Sequence, residues 1–331
     1  MKKIAILTSG GDSPGMNPVI RSVTRTAVNK GMEVWGIQNG YQGLLDNDFI
    51  QLDVLKVSGK GREPGTFLQT SRCLEFIKEE GQNKAMKILE AHGIEGLVVV
   101  GGDGSLTGAL ALQKKGLQVV GIPGTIDNDL YGTEMSVGVD TCLNTIMHLV
   151  DMIRATAASH RRCFVVEVMG RASGYLALMT AISTGAQVAV IPEFKLNMDN
   201  ITRVLERRFA RKHNNSVIII AEGVCSGAEF LNRINDFPKG TIQQDTRLTV
   251  LGHVQRGGVP THFDRLLGAR MGEMAVLALE SKETGTMVAQ VGSKMQLIPI
   301  ESVIGKKRAL SGESIRTARN LGIEIGDAVE M

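Results

Sequence analysis

Short apolar runs recur along the chain, at 4–7, 34–37, 97–100, 119–122, 164–168, 188–191, 217–220, 248–251 and 287–291. Between most of them lie amphipathic stretches of helical length, at 17–30, 79–92, 141–159, 199–213 and 261–281. In the first of these, Val19, Val23 and Ala27 share one face. Strands that are apolar on both faces and alternate with helices predict parallel sheets covered on both sides. No short-period repeat, low-complexity tract or Pro/Gly/Ser tether interrupts the pattern. Any domain boundary is therefore a chain crossing, and the long helix from Thr141 is its natural place.

Parallel sheets put ligands at the carboxyl ends of their strands. Two strand ends here carry glycines and carboxylates: Gly101-Gly102-Asp103-Gly104-Ser105, and Pro123-Gly124-Thr125-Ile126-Asp127-Asn128-Asp129. In the first, the glycines let backbone approach a bulky anion, and Ser105 reads as a helix start whose N–H groups suit phosphate. Asp103 repels phosphate directly, so it makes sense as a ligand to Mg²⁺ that itself sits on phosphates. In the second, Asp127 or Asp129 could take a proton from a substrate alcohol. Together they describe a phosphotransferase.

Composition removes other classes. At 331 residues the chain can hold two domains, and 43% hydrophobic residues suffice for sizeable cores. No apolar run approaches the length of a membrane span. The N-terminal segment reads as a first strand of a cytoplasmic protein rather than a signal peptide. The four cysteines have no CxxC spacing, which predicts reduced thiols and no zinc site. A net charge of +3 and 4% aromatics argue against nucleic-acid binding.

Gly11-Asp12-Ser13-Pro14-Gly15 formally matches a G-x-S-x-G nucleophile elbow. It is rejected because the residue after the serine is Pro14, which has no N–H for an oxyanion hole. A phosphate-binding turn fits better, and the ordinary G-x-x-x-x-G-K-[ST] loop is absent. Arg171 follows Met169-Gly170 just past a strand end, where it can stabilise charge on a transferring phosphoryl group. Glu222-Gly223 ends another strand and could bind sugar hydroxyls. In Gly252-His253-Val254-Gln255-Arg256-Gly257-Gly258, His253 and Arg256 form a credible phosphate-ester clamp. Arg162 and Arg247 precede their strands and so lie at the opposite ends, which is explained if they serve a neighbouring subunit. Arg21 and Arg25 share a helix face and could mark a separate anion site.

Taken together, 7–17, 71–73, 101–105, 123–129, 159–160, 166–171, 221–223 and 250–258 closely resemble the bacterial ATP-dependent 6-phosphofructokinase family. The resemblance runs from about residue 2 to about residue 275; the last fifty or so match poorly. It implies two similar three-layer α/β/α lobes with mainly parallel sheets and the active site in the cleft between them. The ATP-binding large domain would hold 1–139 plus 255–305, and the fructose 6-phosphate-binding small domain 140–254 plus 306–331. The implied reaction is glycolytic phosphoryl transfer from MgATP to the 1-hydroxyl of fructose 6-phosphate.

Carried over by position, Gly11, Tyr41, Arg72, Cys73, Gly102, Asp103, Gly104, Ser105 and Gly108 would bind ATP, with Asp103 on Mg²⁺. Asp127 would be the base, assisted by Thr125, Gly11, Arg72 and Arg171. Thr125, Ile126, Asp127, Asp129, Arg162, Met169, Gly170, Arg171, Glu222, Arg247, His253 and Arg256 would hold the sugar phosphate. Arg162 and Arg247 would reach it from the adjacent subunit of a homotetramer. Arg21, Arg25, Arg154, Gly185, Arg211 and His213 match an interface site for an ADP or phosphoenolpyruvate effector. Val54, Gly59, Gln187, His213 and Asn214 depart from that site's usual residues, so altered effector control is expected. Glycines at 104 and 124 favour ATP as donor, since the pyrophosphate-dependent branch carries bulkier residues there. That branch and a non-catalytic sugar-phosphate or nucleotide sensor on the same fold are the rival readings. Gly61-Arg62-Glu63-Pro64-Gly65 also departs from the family.

Overall fold

The computed structural model describes residues 1–211, 215–236 and 245–328. The chain divides into two compact units. The first comprises Met1–Ile126, Leu130–Thr141 and Arg256–Arg308. The second comprises Asp127–Asp129, Cys142–Gln255 and the residues from Ala309 on. Both are α/β with mainly parallel sheets, as the hydrophobic pattern predicts.

The first unit opens with β1 (Lys3–Thr8), α1 (Met16–Asn29), β2 (Glu33–Ile37), α2 (Gly40–Leu45), β3 (Phe49–Leu52), α3 (Glu79–Ala91), β4 (Gly96–Gly101), α4 (Asp103–Lys114) and β5 (Gln118–Pro123). A long helix, α5 (Val139–His160), begins in the first unit and continues in the second. The second unit then runs β6 (Cys163–Val168), α6 (Tyr175–Thr184), β7 (Val188–Val190), β8 (Phe194–Lys195), α7 (Met198–Ala210), β9 (Ser216–Ala221), α8 (Gly227–Asn235) and β10 (Thr246–Val250). The chain returns to the first unit for α9 (His262–Glu280), β11 (Thr286–Val291), β12 (Lys294–Pro299) and α10 (Ile300–Val303). It ends in the second with α11 (Gly312–Asn320) and β13 (Asp327–Ala328).

The first sheet has the order β12-β11-β5-β4-β1-β2-β3, parallel except for its two edge strands. Alternation of side chains along each strand feeds two apolar layers. Ile4, Ile6, Val98, Val100, Val120 and Ile122 face α1 and α9; Ala5, Leu7, Leu97, Val99 and Val119 face the layer of α2, α3, α4 and α10. Helices α1 and α9 approach closely because α9 offers glycine: a Cβ at Gly272 would lie 2.7 Å from the Ser22 Cβ. The Ser22 hydroxyl donates to the Ala269 carbonyl across that contact. The second sheet, β10-β6-β9-β7, is wholly parallel, and β13 pairs with β8.

Register places the functional turns. Thr8 lies beside Val100, Val100 beside Ile122, and Gly101 beside Pro123, so β1, β4 and β5 end level. In the second sheet Val168 lies beside Ala221 and Val250 beside Glu167, so β6, β9 and β10 also end together. The edge strands β3 and β12 and the helices α2, α6, α8 and α11 are additions to the sequence reading. Helix α4 begins at Asp103 rather than at Ser105.

Candidate active site

In the first unit, Ser9 N–H donates to the Val100 carbonyl (2.9 Å), and Gly10 turns the chain at φ 88°. The Arg256 guanidinium covers Gly11 so closely that a Cβ there would overlap its terminal nitrogen. That nitrogen donates to the Asp12 carbonyl at 2.7 Å and lies 3.9 Å from the Asp12 carboxylate. Arg256 thus sits on the first turn, whereas its sequence neighbour His253 is exposed and belongs to the second unit.

Gly101 is required by packing, since a Cβ would strike the Ser105 hydroxyl and come 2.5 Å from the Ser9 carbonyl. The Ser105 hydroxyl donates to that same carbonyl (3.0 Å). Gly102 caps α4 in extended conformation, which leaves Asp103 half-buried in the helix's first turn. Gly104 looks into open space: nothing lies within 4 Å of a Cβ built there. Gly124 is the opposite, with a Cβ only 2.9 Å from Val100 Cγ1 and 3.3 Å from Met16 Cε. Its N–H donates to the Gly101 carbonyl at 3.0 Å. Thr125 is half-buried beside Gly102.

Tyr41 is nearly buried and stacked on Phe76, with ring centroids 4.0 Å apart. Its hydroxyl donates to the Ser105 carbonyl at 2.7 Å, and Gly108 packs on its ring. Burial pushes the phenol far above its ordinary pKa. Tyr41 therefore supports α4 from beneath instead of presenting an exposed ring.

The segment leading to Arg72 is held by side chains that sequence reasoning missed. Buried Asn17 donates to the Glu63 and Pro64 carbonyls (3.1 and 3.2 Å) and accepts from Phe67 N–H (2.8 Å). The Thr8 hydroxyl donates to the Gln69 carbonyl, Thr70 to Gly10 and Ser71 to Asn39. Arg72 is exposed at the end of this segment, and Cys73 is half-buried.

Asp264, at the start of α9, is fully buried and underpins the turn. It accepts from Gly138 N–H (2.8 Å), Thr141 N–H (2.7 Å) and the Thr141 hydroxyl (2.6 Å). Ser13 in turn donates to the Val137 carbonyl, joining this knot to the first turn. Burial pushes the Asp264 carboxyl up to about 6, against the pull of its three donors.

In the second unit, Asp127 is 6% exposed and Asn128 takes a left-handed backbone (φ 48°), with Asp129 half-buried beyond it. The turn after β6 takes positive φ at two positions, Gly170 (136°), where glycine allows it freely, and Arg171 (50°), where it is strained. Arg171 N–H donates to the Glu222 carboxylate (3.0 Å) while its own side chain is exposed. Gly223 is obligatory, because a Cβ would overlap the Arg171 carbonyl. Met169 N–H donates to the side-chain oxygen of Gln255 at 3.2 Å. At the other end of the sheet, Asp245 receives both Arg162 Nε (3.0 Å) and an Arg247 terminal nitrogen (2.7 Å). The two arginines are thus brought together.

Of the residues matched to an effector site, Arg21 and Arg25 are half-buried on α1 in the first unit. In the second unit, a cavity of about 720 Å³ is lined by Thr184, Gly185, Gln187, Arg207, Arg208 and Arg211. Gln187 spends its amide on the backbone, donating to Gly185 and accepting from Val217 N–H. Arg154 Nε and one terminal nitrogen, and Arg208 Nε, are buried without a hydrogen-bond partner. Burial lowers both guanidinium pKa values, and Arg154 lowers that of Arg208 further. Arg208 had no sequence signal, since its role depends on tertiary placement. His213 lies outside the described residues.

Among the described residues, no group of three or more His, Cys, Asp or Glu could hold a metal ion. A single carboxylate such as Asp103, at an open helix start, suits Mg²⁺ that takes its other ligands from phosphate and water.

The phosphofructokinase family profile matches residues 3–279. The chain belongs to the phosphofructokinase family. An ATP-dependent 6-phosphofructokinase of Thermotoga neapolitana is 49% identical over 312 residues, covering 94% of this chain and 96% of that one. Another from Shouchella clausii is 45% identical over 323 residues, covering 98% of this chain and all of its own. Among solved phosphofructokinases, that of Saccharomyces cerevisiae matches with TM-score 0.83 and 36% identity, over 97% of this chain and 47% of that chain. This chain therefore spans about half the length of the yeast one. A pyrophosphate-dependent phosphofructokinase from Marinobacter aquaeolei matches with TM-score 0.85 at 17% identity over 100% of this chain and 94% of its own, sharing the fold alone. No helix among the described residues is long and apolar enough to cross a membrane.

Proposed function

We propose that this chain is an ATP-dependent 6-phosphofructokinase, transferring a phosphoryl group from MgATP to the 1-hydroxyl of fructose 6-phosphate in the cytoplasm. The observation that carries this is its identity of 45–49% to enzymes of that name over nearly the whole length of both chains. The open space at Gly104 supports the nucleotide as donor. Gly11 and the start of α4, Gly102–Gly104, offer backbone N–H groups to phosphate, with Ser105 at the end of the turn. Asp103 would hold Mg²⁺, which would offset the charge of the nucleotide phosphates.

Buried Asp127 accepts the proton of the attacking hydroxyl, with Thr125 and Asp129 assisting. Arg72 and Arg171 balance charge on the transferring group. Met169, Gly170 and Glu222 hold the sugar, and His253 its phosphate. Arg256 orders the first turn through Asp12 and meets phosphate there. Arg162 and Arg247, paired on Asp245, reach the sugar phosphate of a neighbouring subunit in a homotetramer.

A second site is an anionic effector pocket at Gly185, Arg208 and Arg211, with Arg154. The buried, unsatisfied guanidinium nitrogens support it. Gln187 is committed to backbone, so an anion without a bound divalent cation fits better than a metal–nucleotide complex.

The test is fructose 1,6-bisphosphate formation with ATP and, separately, with pyrophosphate. Turnover with ATP alone is expected. Turnover with pyrophosphate alone would reverse the donor argument, and none with either would favour the sensor. Titrating phosphoenolpyruvate and MgADP into the same assay tests the effector pocket. A stronger response to MgADP would sink the metal-free reading.

A further inference from the structure

Between His253 and Arg256 lies a residue the sequence motif treats as a spacer. Gln255 has no exposed surface at all. Its side-chain oxygen accepts from Met169 N–H at 3.2 Å, and its side-chain nitrogen donates to the Gly252 carbonyl at 2.9 Å. Only this orientation of the amide satisfies both backbone groups. The two groups belong to informative peptide planes. One joins Val168 to Met169, at the head of the strained Gly170-Arg171 turn. The other joins Gly252, itself at φ 54°, to His253. The first turn is already pinned on its far side, where Arg171 N–H donates to Glu222 and Glu222 N–H donates to the Val168 carbonyl. Gln255 is the pin on the near side, and it ties this turn to the one that carries His253.

We propose that Gln255 is a positioning residue for the sugar phosphate. Its single amide fixes the Met169 peptide and the His253 peptide relative to each other, so that sugar ring and phosphate are met at one spacing. The inference rests on the assignment of Met169, Gly170 and His253 to fructose 6-phosphate. A bound substrate with two anchoring points is sensitive to their separation, and misplacement by about 1 Å costs up to about 100-fold.

Two variants test it. Gln255→Leu removes both hydrogen bonds at similar volume. Gln255→Glu keeps the acceptor for Met169 N–H but, when ionised, has no donor for the Gly252 carbonyl. When protonated it regains one, and burial raises the pH at which that happens. Steady-state kinetics are measured from about pH 6 to about pH 8, with each variant expressed as a ratio to wild type at the same pH. The ratio removes every pH dependence that wild type and variants share, that of the substrate phosphate included. The charged groups on the adjoining strand and turns, Glu167, Glu222 and His253, are the same in all three. For Gln255→Leu the KM for fructose 6-phosphate is expected to rise at least about tenfold, with the KM for ATP within about twofold. For Gln255→Glu the fructose 6-phosphate KM ratio is expected to fall towards one as pH drops.

A merely structural role would lower Tm and move both KM values alike, with a flat pH ratio, and that result overturns the proposal. Should Gln255→Leu fail to fold, the pH ratio of Gln255→Glu decides alone. If the wild type neither binds nor phosphorylates fructose 6-phosphate, the functional reading fails, and the positioning role falls with it. If wild type is active and both variants keep its sugar KM, only the positioning role fails.

Discussion

At the edge where β1, β4 and β5 end, the chain offers mostly backbone. Gly10, Gly11, Gly102 and Gly104 carry no side chains, and the cover over Gly11 is one arginine from a distant segment. At the edge where β6, β9 and β10 end, the offering is side chains, Arg171, Glu222 and His253, on turns locked by Gln255, Glu222 and Gly223. Under the proposed function, the difference follows from the ligands. Phosphate is recognised by N–H groups that must approach closely, so bulk is excluded. A sugar phosphate is recognised by hydroxyl partners and one charge in fixed positions, so the supporting turns must be rigid.

The largest expected effect falls on the residue that neither edge's binding groups can replace. Asp127→Asn should lower kcat by about 10²–10⁴, leaving both KM values within a few-fold. An equal loss in kcat and in sugar affinity would remove Asp127 from the base role.

The next concerns what lies under the backbone-built edge. Folded Asp264 holds its proton up to about pH 6, whereas its ordinary value is 3.8. The stability contributed by that proton is full below 3.8 and is lost as pH rises through about 6. At 1.36 kcal/mol per unit this amounts to about 3 kcal/mol between pH 4 and pH 7. The urea midpoint of wild type should fall relative to that of Asp264→Asn as pH rises across that range. Parallel curves would show that Asp264 titrates normally.

The two glycines give the sharper, smaller contrasts. Gly124→Ala must push Val100 or Met16 aside and should cost about 1–3 kcal/mol by urea unfolding. Gly104→Asp enters open space and should change stability by no more than about 0.5 kcal/mol. It should nevertheless raise the KM for ATP, since a carboxylate then faces phosphate. If Gly104→Asp destabilises as much as Gly124→Ala, the contrast between open and packed glycines fails.

The buried centre of each sheet was legible because parallel strands covered on both faces must be apolar throughout. The edges were not. In β12 no residue is fully buried, and Leu297-Ile298 before Pro299 is too short an apolar run to mark a strand. Helix α6 is almost uniformly apolar and lacks a helical stripe. Within the site, residue types at strand ends were readable, because their chemistry is local. What Asn17, Gln255 and Asp264 do was not, since each acts on backbone between 46 and 126 residues away. The bond from the Arg256 guanidinium to the Asp12 carbonyl, 244 residues upstream, likewise has no signal in the motif that places Arg256 near His253.

The interrupted course of the first unit also has a consequence for how the protein is made. Strands β11 and β12 complete a sheet whose other five strands end by Pro123, and α9 packs on its face. During synthesis, Val98, Val120 and Ile122 emerge well before Leu267, Met271 and Ala275, which cover the same layer. The first 141 residues therefore leave the ribosome with one apolar sheet face covered by α1 but not by α9. They must wait until more than a hundred further residues, most of the second unit, have been added. Since unfinished chains with exposed sheet surface aggregate, the slow step in producing this enzyme should be closure of the first unit by a late helix. Truncation before residue 262 should yield insoluble chain.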